Sequence, residues 1–199
     1  MRKVIVSEFV TLDGVMEDPG GAEGFEHGGW SIRLGSEEQE RFKFDELAAA
    51  DALLLGRKTY EGFAAAWPIM MDAYEGPRRA ELQEYADMMN SYPKHVVSTT
   101  LQEPLEWNAT LVKGDFAGEV SNLKRQPGKD ILVFGSGDLV NTLIKHGLVD
   151  EYRLMIFPVV LGSGKRLFRE GSDSRALELM DSKTFETGVL YLTYRPKGE

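Results

Sequence analysis

Two short apolar runs that end in glycine and pass straight into a helical pattern limit the possible folds more than any other feature. Asp51-Ala52-Leu53-Leu54-Leu55-Gly56 leads into Arg57-Lys58-Thr59, and Asp130-Ile131-Leu132-Val133-Phe134-Gly135 leads into Ser136-Gly137-Asp138. Runs that are apolar at successive positions read as strands buried on both faces, and such strands belong to parallel sheets sandwiched between helices. Residues 3–10, rich in Val, Ile and Phe, form a third run of this kind. Ser36 followed by Gln39 is a capping-box signature that predicts a helix over 37–50. A second helix is expected from about Lys58, with Tyr60, Phe63 and Trp67 at helical spacing and Pro68 as its stop. Further helical patterns cover 78–90, 116–124 and the stretch after Gly135 that Gly147 closes, while 94–98 and 109–113 read as strands. Beyond Asp150, residues 150–160, 166–168, 175–181 and 184–195 alternate like strands, with Gly162-Ser163-Gly164 as a turn. This order predicts an α/β fold with a mostly parallel central sheet, an antiparallel C-terminal edge and helices on both faces, in one domain over 1–199. A helical insertion is expected around 69–93.

Composition enters as a filter on function. Lysine and arginine total 23 against 32 aspartates and glutamates, a net charge of −9 over 199 residues, so no global basic surface is available for nucleic acid. With no cysteine, disulfide scaffolds, thiolate metal sites and cysteine nucleophiles are excluded. His27, His95 and His146 show no metal-ligand spacing, so no metal site is expected. No apolar run approaches the roughly 18 residues needed to span a bilayer. The N-terminal residues turn polar after Val4-Ile5-Val6, too short a run for a secretory signal, so a cytoplasmic protein without membrane contact is expected.

The glycine junctions are where ligand chemistry is expected, because a helix N-terminus offers unpaired amides and partial positive charge. Gly56 permits close backbone approach, Arg57 supplies a phosphate-matching fork and Thr59 a hydroxyl. Gly135-Ser136-Gly137 is small enough for backbone amides to touch a pyrophosphate. Two such junctions, one carrying an Arg-Lys pair, point to a dinucleotide. Stock motifs fail: the third glycine of GxGxxG falls on Val140, the P-loop lacks its first glycine at Val159, and no GxSxG occurs. The loop from Asp13-Gly14 to Gly28-Gly29-Trp30 carries six glycines and is long enough to be functional or mobile. On the 37–50 helix, Glu40, Phe44 and Leu47 fall at i, i+4 and i+7, which predicts a carboxyl on the face that Phe44 and Leu47 bury. A carboxyl facing an apolar cleft has a raised pKa and suits a proton donor or substrate anchor. A solvated helix glutamate fits the same spacing.

Gly56-Arg57-Lys58-Thr59-Tyr60, Val96-Val97-Ser98-Thr99-Thr100 and Ile131 to Gly137 with Leu139 resemble, in order and spacing, the cofactor elements of the dihydrofolate reductase fold. Thr11-Leu12-Asp13-Gly14, Leu148-Val149-Asp150-Glu151-Tyr152 and Pro158 to Gly164 are similar to the reductase domain of bacterial riboflavin-biosynthesis deaminase-reductases, and most of all to its stand-alone relatives. The resemblance covers nearly the whole chain. It implies a dihydrofolate reductase-like three-layer fold, NADPH as cofactor, a small-molecule substrate and often a homodimer. Carried over, Arg57, Lys58 and Thr59 beside Gly56 would hold the phosphates and ribose, and Ser98, Thr99 and Thr100 would lie along the adenosine and its 2′-phosphate. Gly135, Ser136, Gly137, Asp138 and Leu139 would wrap the pyrophosphate through backbone amides. The family strand often carries a basic residue after the serine where Thr99 and Thr100 stand here, which leaves NADPH against NADH open. Glu40 and Phe44 would match a substrate-binding carboxylate and phenylalanine, and Asp13 would lie near the substrate as a second catalytic candidate. Trp30 would cover the nicotinamide from a lid over 14–35. Arg33, Lys165 and Arg166 are candidates for a substrate phosphate. The implied reaction is hydride transfer to a heterocycle or ribosylamino-pyrimidine. Reduction of dihydrofolate or another pterin, and NADPH binding without turnover, are the alternatives. The deaminase partner's zinc-binding His/Cys set is missing, so deamination is not expected.

Overall fold

The computed structural model describes residues 1–72, 74–171 and 174–198. Six strands run parallel: β1 (Val4–Thr11), β2 (Ala50–Gly56), β3 (Lys94–Val97), β4 (Ala109–Val112), β5 (Asp130–Phe134) and β6 (Glu151–Phe157). The hairpin β7 (Leu177–Thr184) and β8 (Leu190–Pro196) adds the antiparallel edge, giving the order β4-β3-β2-β5-β1-β6-β8-β7. Alternate residues of the central strands feed two cores. Val4, Val6, Leu54 and Val133 pack with α4 (Phe116–Arg125) and α5 (Gly137–Lys145) on one face. Ile5, Leu53, Leu55 and Leu132 pack with α1 (Glu37–Ala48), α2 (Arg57–Ala66) and α3 (Arg79–Ser91) on the other. A third cluster, Trp30, Phe157, Phe185 and Tyr191, lies under the hairpin edge. The three layers follow because doubly apolar strands expose no face that water could cover.

The differences from the sequence expectation have local causes. Residues 184–195 are not one strand: Gly188, at φ +81°, turns the chain between β7 and β8, and the Phe185 amide donates to the Val189 carbonyl at 2.9 Å. Residues 166–168 contribute only one bridge, Val15 to Arg166. β6 stops at Phe157 because Pro158 has no amide to continue the ladder. The insertion holds α3 and a 3₁₀ turn over Trp67–Ile69.

One buried charge directly follows this insertion. Lys94, at the start of β3, is fully buried, donates to the Asn90 carbonyl at 2.8 Å and stands 4.0 Å over the Trp107 ring. Burial pushes its ammonium down from 10.5 to about 8. The unfolded chain therefore binds more protons than the folded one between those values, and folding stability rises with pH across that window. Urea unfolding at pH 7 and pH 10 should show this gain in the wild type and its loss in Lys94→Met.

Candidate functional site

Three of the implied cofactor segments leave the sheet at the same edge, from the C-terminal ends of the neighbouring strands β3, β2 and β5. The β2 and β5 turns interlock. The Gly56 amide donates to Ser136 Oγ at 2.9 Å, and the Ser136 amide donates to Thr59 Oγ1 at 3.0 Å. Ser136 sits in the left-handed region at φ +61°, and a Cβ on Gly135 would come within 3.1 Å of Thr59 Oγ1. A Cβ on Gly137 would stand 3.0 Å from Met16 Sδ. The lack of side chains at these two glycines is therefore what lets Thr59 and Met16 pack closely against the turn. Neither Gly56 nor Ser136 caps its helix through a side chain, so the first amides of α2 and α5 are left for an anion.

The other cofactor candidates fall around this cradle. Arg57 is exposed and pairs with Glu61 at 3.3 Å; Lys58 is exposed. Ser98 Oγ accepts from the Thr100 and Leu101 amides, both at 3.1 Å, and leaves Thr99 and Thr100 exposed. Asp138 is held ionised by a bond from Arg169, which neutralises an acid beside the α5 N-terminus. The Leu139 side chain is core, so only its backbone faces the turn.

A cleft of about 760 Å³ opens beside this edge, between α1 and the α2–α3 insertion, with Phe9, Phe44, Phe157 and Trp67 among its walls. Phe44 is half-buried in this wall. Glu40 lies at the mouth, but it does not share the buried face: it is exposed and bound by Arg78, which also holds Glu81. The helix turns Gln39, Lys43, Glu46 and Leu47 inward instead. The reason is that α1 serves two partners, since Phe42 packs on Phe185 and Tyr191 of the hairpin edge while Leu47 enters the core under β2.

Trp30 is not a cover over the cleft. It is buried, its indole donates to the Glu17 carbonyl at 2.8 Å, and its ring meets Phe157 edge-on at 5.3 Å. Residues 12–35 are wrapped around Asp18, a buried carboxylate that accepts from the Ala22, Glu23 and Phe25 amides. Asp13 fastens the same loop to the turn after β6. Its carboxylate accepts from Thr11 Oγ1 at 2.6 Å, from the Gly162 amide at 2.8 Å and from the Leu161 amide at 3.2 Å. The Thr11 hydroxyl, with those amides behind it, holds the carboxyl down at about 2, so at neutral pH it has no proton to give. Two of the candidates for a substrate phosphate are engaged: Lys165 pairs with Glu17, and Arg166 donates to the Asp13 carbonyl.

Sequence reading did not find Glu8. It lies on β1 where the strand parts from β5, is buried, and accepts from the Gly135 amide at 3.0 Å through Oε2. Among the described residues its Oε1 has no partner. Burial pushes this carboxyl well above its usual range, against the pull of the Lys43 ammonium. A lone acid within an apolar strand run was the available sign.

The strand order and the glycine turns define an α/β protein of the dihydrofolate reductase-like class. A dihydrofolate reductase from Enterococcus faecalis complexed with NADP(H) superposes with a TM-score of 0.59 at 15% identity, covering 98% of this chain and 97% of that one. A candidate riboflavin biosynthesis protein from Shewanella sp. PV-4 superposes with a TM-score of 0.71 at 22% identity, covering 98% and 99%. In sequence, the uncharacterized protein YyaP of Bacillus subtilis is 34% identical over 197 residues, 99% of this chain and 96% of its own length. Residues 2–191 match the profile of the RibD C-terminal domain, and the chain belongs to that family.

The Glu8 carboxyl offers a check on the buried geometry. A folded pKa raised above the unfolded value of 4.5 means that stability is full below that value and falls as the pH rises through the folded pKa. Glu8→Gln should therefore be more stable than the wild type at pH 8, by about 1–3 kcal/mol, and the difference should shrink by pH 4 in denaturant melts.

Proposed function

We propose that this protein is a nicotinamide-dinucleotide-dependent reductase, with NADPH as the preferred donor, acting on a small planar heterocycle. The observation that carries the reading is the interlocked pair of glycine turns, which leaves two uncapped helix N-termini side by side at one edge of the sheet. Their amides suit a pyrophosphate, and glycine at 135 and 137 lets the turn pack closely on Thr59 and Met16. Arg57 would leave Glu61 for a phosphate, a partner of higher charge, and the exposed Thr99 and Thr100 would meet the adenosine. The cofactor supplies a hydride. The chain's part is to hold the dinucleotide, keep water from the aromatic cleft and seat the acceptor ring against Phe44 and Phe9.

Family membership supports the reductase reading, as does the NADP(H) carried by the Enterococcus enzyme of the same fold. The engaged Lys165 and Arg166 favour an acceptor without a phosphate over a phosphoribosylated one. A homodimer in the cytoplasm remains part of this proposal; no helix among the described residues is long and apolar enough to cross a membrane.

Titration with NADPH and NADH, followed by nicotinamide fluorescence, tests the reading directly. NADPH should bind at micromolar concentration and more tightly than NADH. Arg57→Ala should weaken it by about tenfold. Gly135→Val should abolish binding, because a branched side chain at φ +55° beside Thr59 cannot keep the turn. If neither nucleotide binds the wild type at these concentrations, the proposal is wrong.

A further inference from the structure

The cleft contains a cation that the reductase reading leaves without a task. Lys43 projects inward from α1, one turn from the exposed Glu40. Its ammonium donates to Ser7 Oγ and to the Glu46 carboxylate, and Ser7 itself donates to Glu46 at 2.7 Å. It stands 4.7 Å from the centre of the Phe134 ring and 5.8 Å from that of Phe9. An ammonium has three N–H donors. Among the described residues two of them are used, and the third is left beside aromatic faces.

Its position relative to the sheet makes this more than a core ion pair. Ser7 and Phe134 are the last residues paired between β1 and β5; beyond them the strands part, and Phe134 is followed at once by the Gly135 turn. Lys43 therefore stands over the gap at the carboxyl ends of the parallel strands, where open α/β sheets take ligands. On the other side it lines the cleft with Phe9, Phe44 and Phe157. The other basic groups of the cleft lie farther out: Arg78 is bound by Glu40 and Glu81, and Arg41 is exposed.

We propose that Lys43, in place of Glu40, is the proton donor of the cleft: it takes up the negative charge that forms on the heteroatom of a planar, carbonyl- or imine-bearing acceptor and gives that atom its proton. This deepens the reductase reading and rests on it. The acceptor carbon gains a hydride from the dihydronicotinamide, the π pair of the C=O or C=N bond moves to the heteroatom, and a proton passes there from Nζ. The oxidised nicotinamide leaves with a positive ring charge, and the neutral lysine recovers its proton from water. Ser7 and Glu46 hold Nζ against the gap, and the aromatic walls keep it dry enough for the charge to matter. The favoured substrate is a flat ring with a polarisable carbonyl or imine and no phosphate.

The test uses 2-hydroxy-1,4-naphthoquinone, a planar anion at neutral pH, against its uncharged 2-methoxy ether, with binding read from tryptophan quenching at Trp67 in the cleft wall. The anion should bind the wild type, and Lys43→Met should weaken it about tenfold or more while leaving the ether within about threefold. Lys43→Arg should restore the discrimination. If Lys43→Met does not fold, because Glu46 is left buried with Arg153 at 3.7 Å as its nearest cation, Lys43→Met combined with Glu46→Gln carries the same comparison. Equal losses for the two quinones, no loss for either, or no binding of the anion to the wild type would overturn the proposal. NADPH titration of the same samples separates the two readings. Absence of NADPH binding removes the reductase and leaves an anion-binding cleft, whereas normal NADPH binding without quinone discrimination removes the role of Lys43 alone.

Discussion

Two interlocking hydrogen bonds, from the Gly56 amide to Ser136 and from the Ser136 amide to Thr59, hold the two glycine turns together. They tie the turn after β2 to the turn after β5, so the starts of α2 and α5 are fixed as one unit. The bonds require Ser136 to adopt a left-handed backbone and Gly135 to carry no side chain. Strain of that kind persists only where its surroundings enforce it. Glu8 does part of the enforcing by accepting from the Gly135 amide from within the sheet. For the proposed dinucleotide, a turn already rigid would lose little further freedom on binding, which would offset the unfavourable field of an acidic chain.

Around the cleft, the organising element is α1. It carries Phe42 toward the hairpin edge, Leu47 toward the β2 core and Lys43 toward the strand gap. Burying Lys43 and Glu46 side by side is costly unless the charges are paired, and the pairing continues outward. Glu46 faces Arg153 at 3.7 Å, Arg153 bonds Glu151 at 2.7 Å, and Glu151 meets Lys3 at 2.9 Å. The line of alternating charge runs from the protein surface to the cleft floor, so the ammonium there is electrically supported without being surrounded. The loop after β1 is tied down by separate means, through Asp18, Asp13 and Trp30, and forms a fixed wall.

Much of this was legible in the residue order. Continuous apolar runs identified the doubly buried strands, and glycine at their ends located both strand-to-helix turns, because those features depend on the chain within a few residues. The orientation of α1 was not legible. Spacing placed Glu40 on the face of Phe44 and Leu47, yet the helix sits between the insertion and the hairpin edge, and the packing of Phe42 on Phe185 and Tyr191 sets its rotation. Trp30 could equally have faced solvent or core until Phe157 was placed beside it. Asp18 gave no motif because its partners are backbone amides, which every residue possesses.

The sequence by itself determined a helix-covered, mostly parallel sheet and two glycine turns at its strand ends. Local hydrophobic pattern and backbone freedom are enough for that. Only the tertiary structure decided which charged groups meet the cleft. Glu8, the Lys43–Glu46 pair of α1 and Arg153 lie far apart along the chain and become one network only when β1, α1 and β6 pack together. Whether an ionisable side chain ends in water or against a strand gap depends on what other elements place around it, and spacing along one helix does not carry that information.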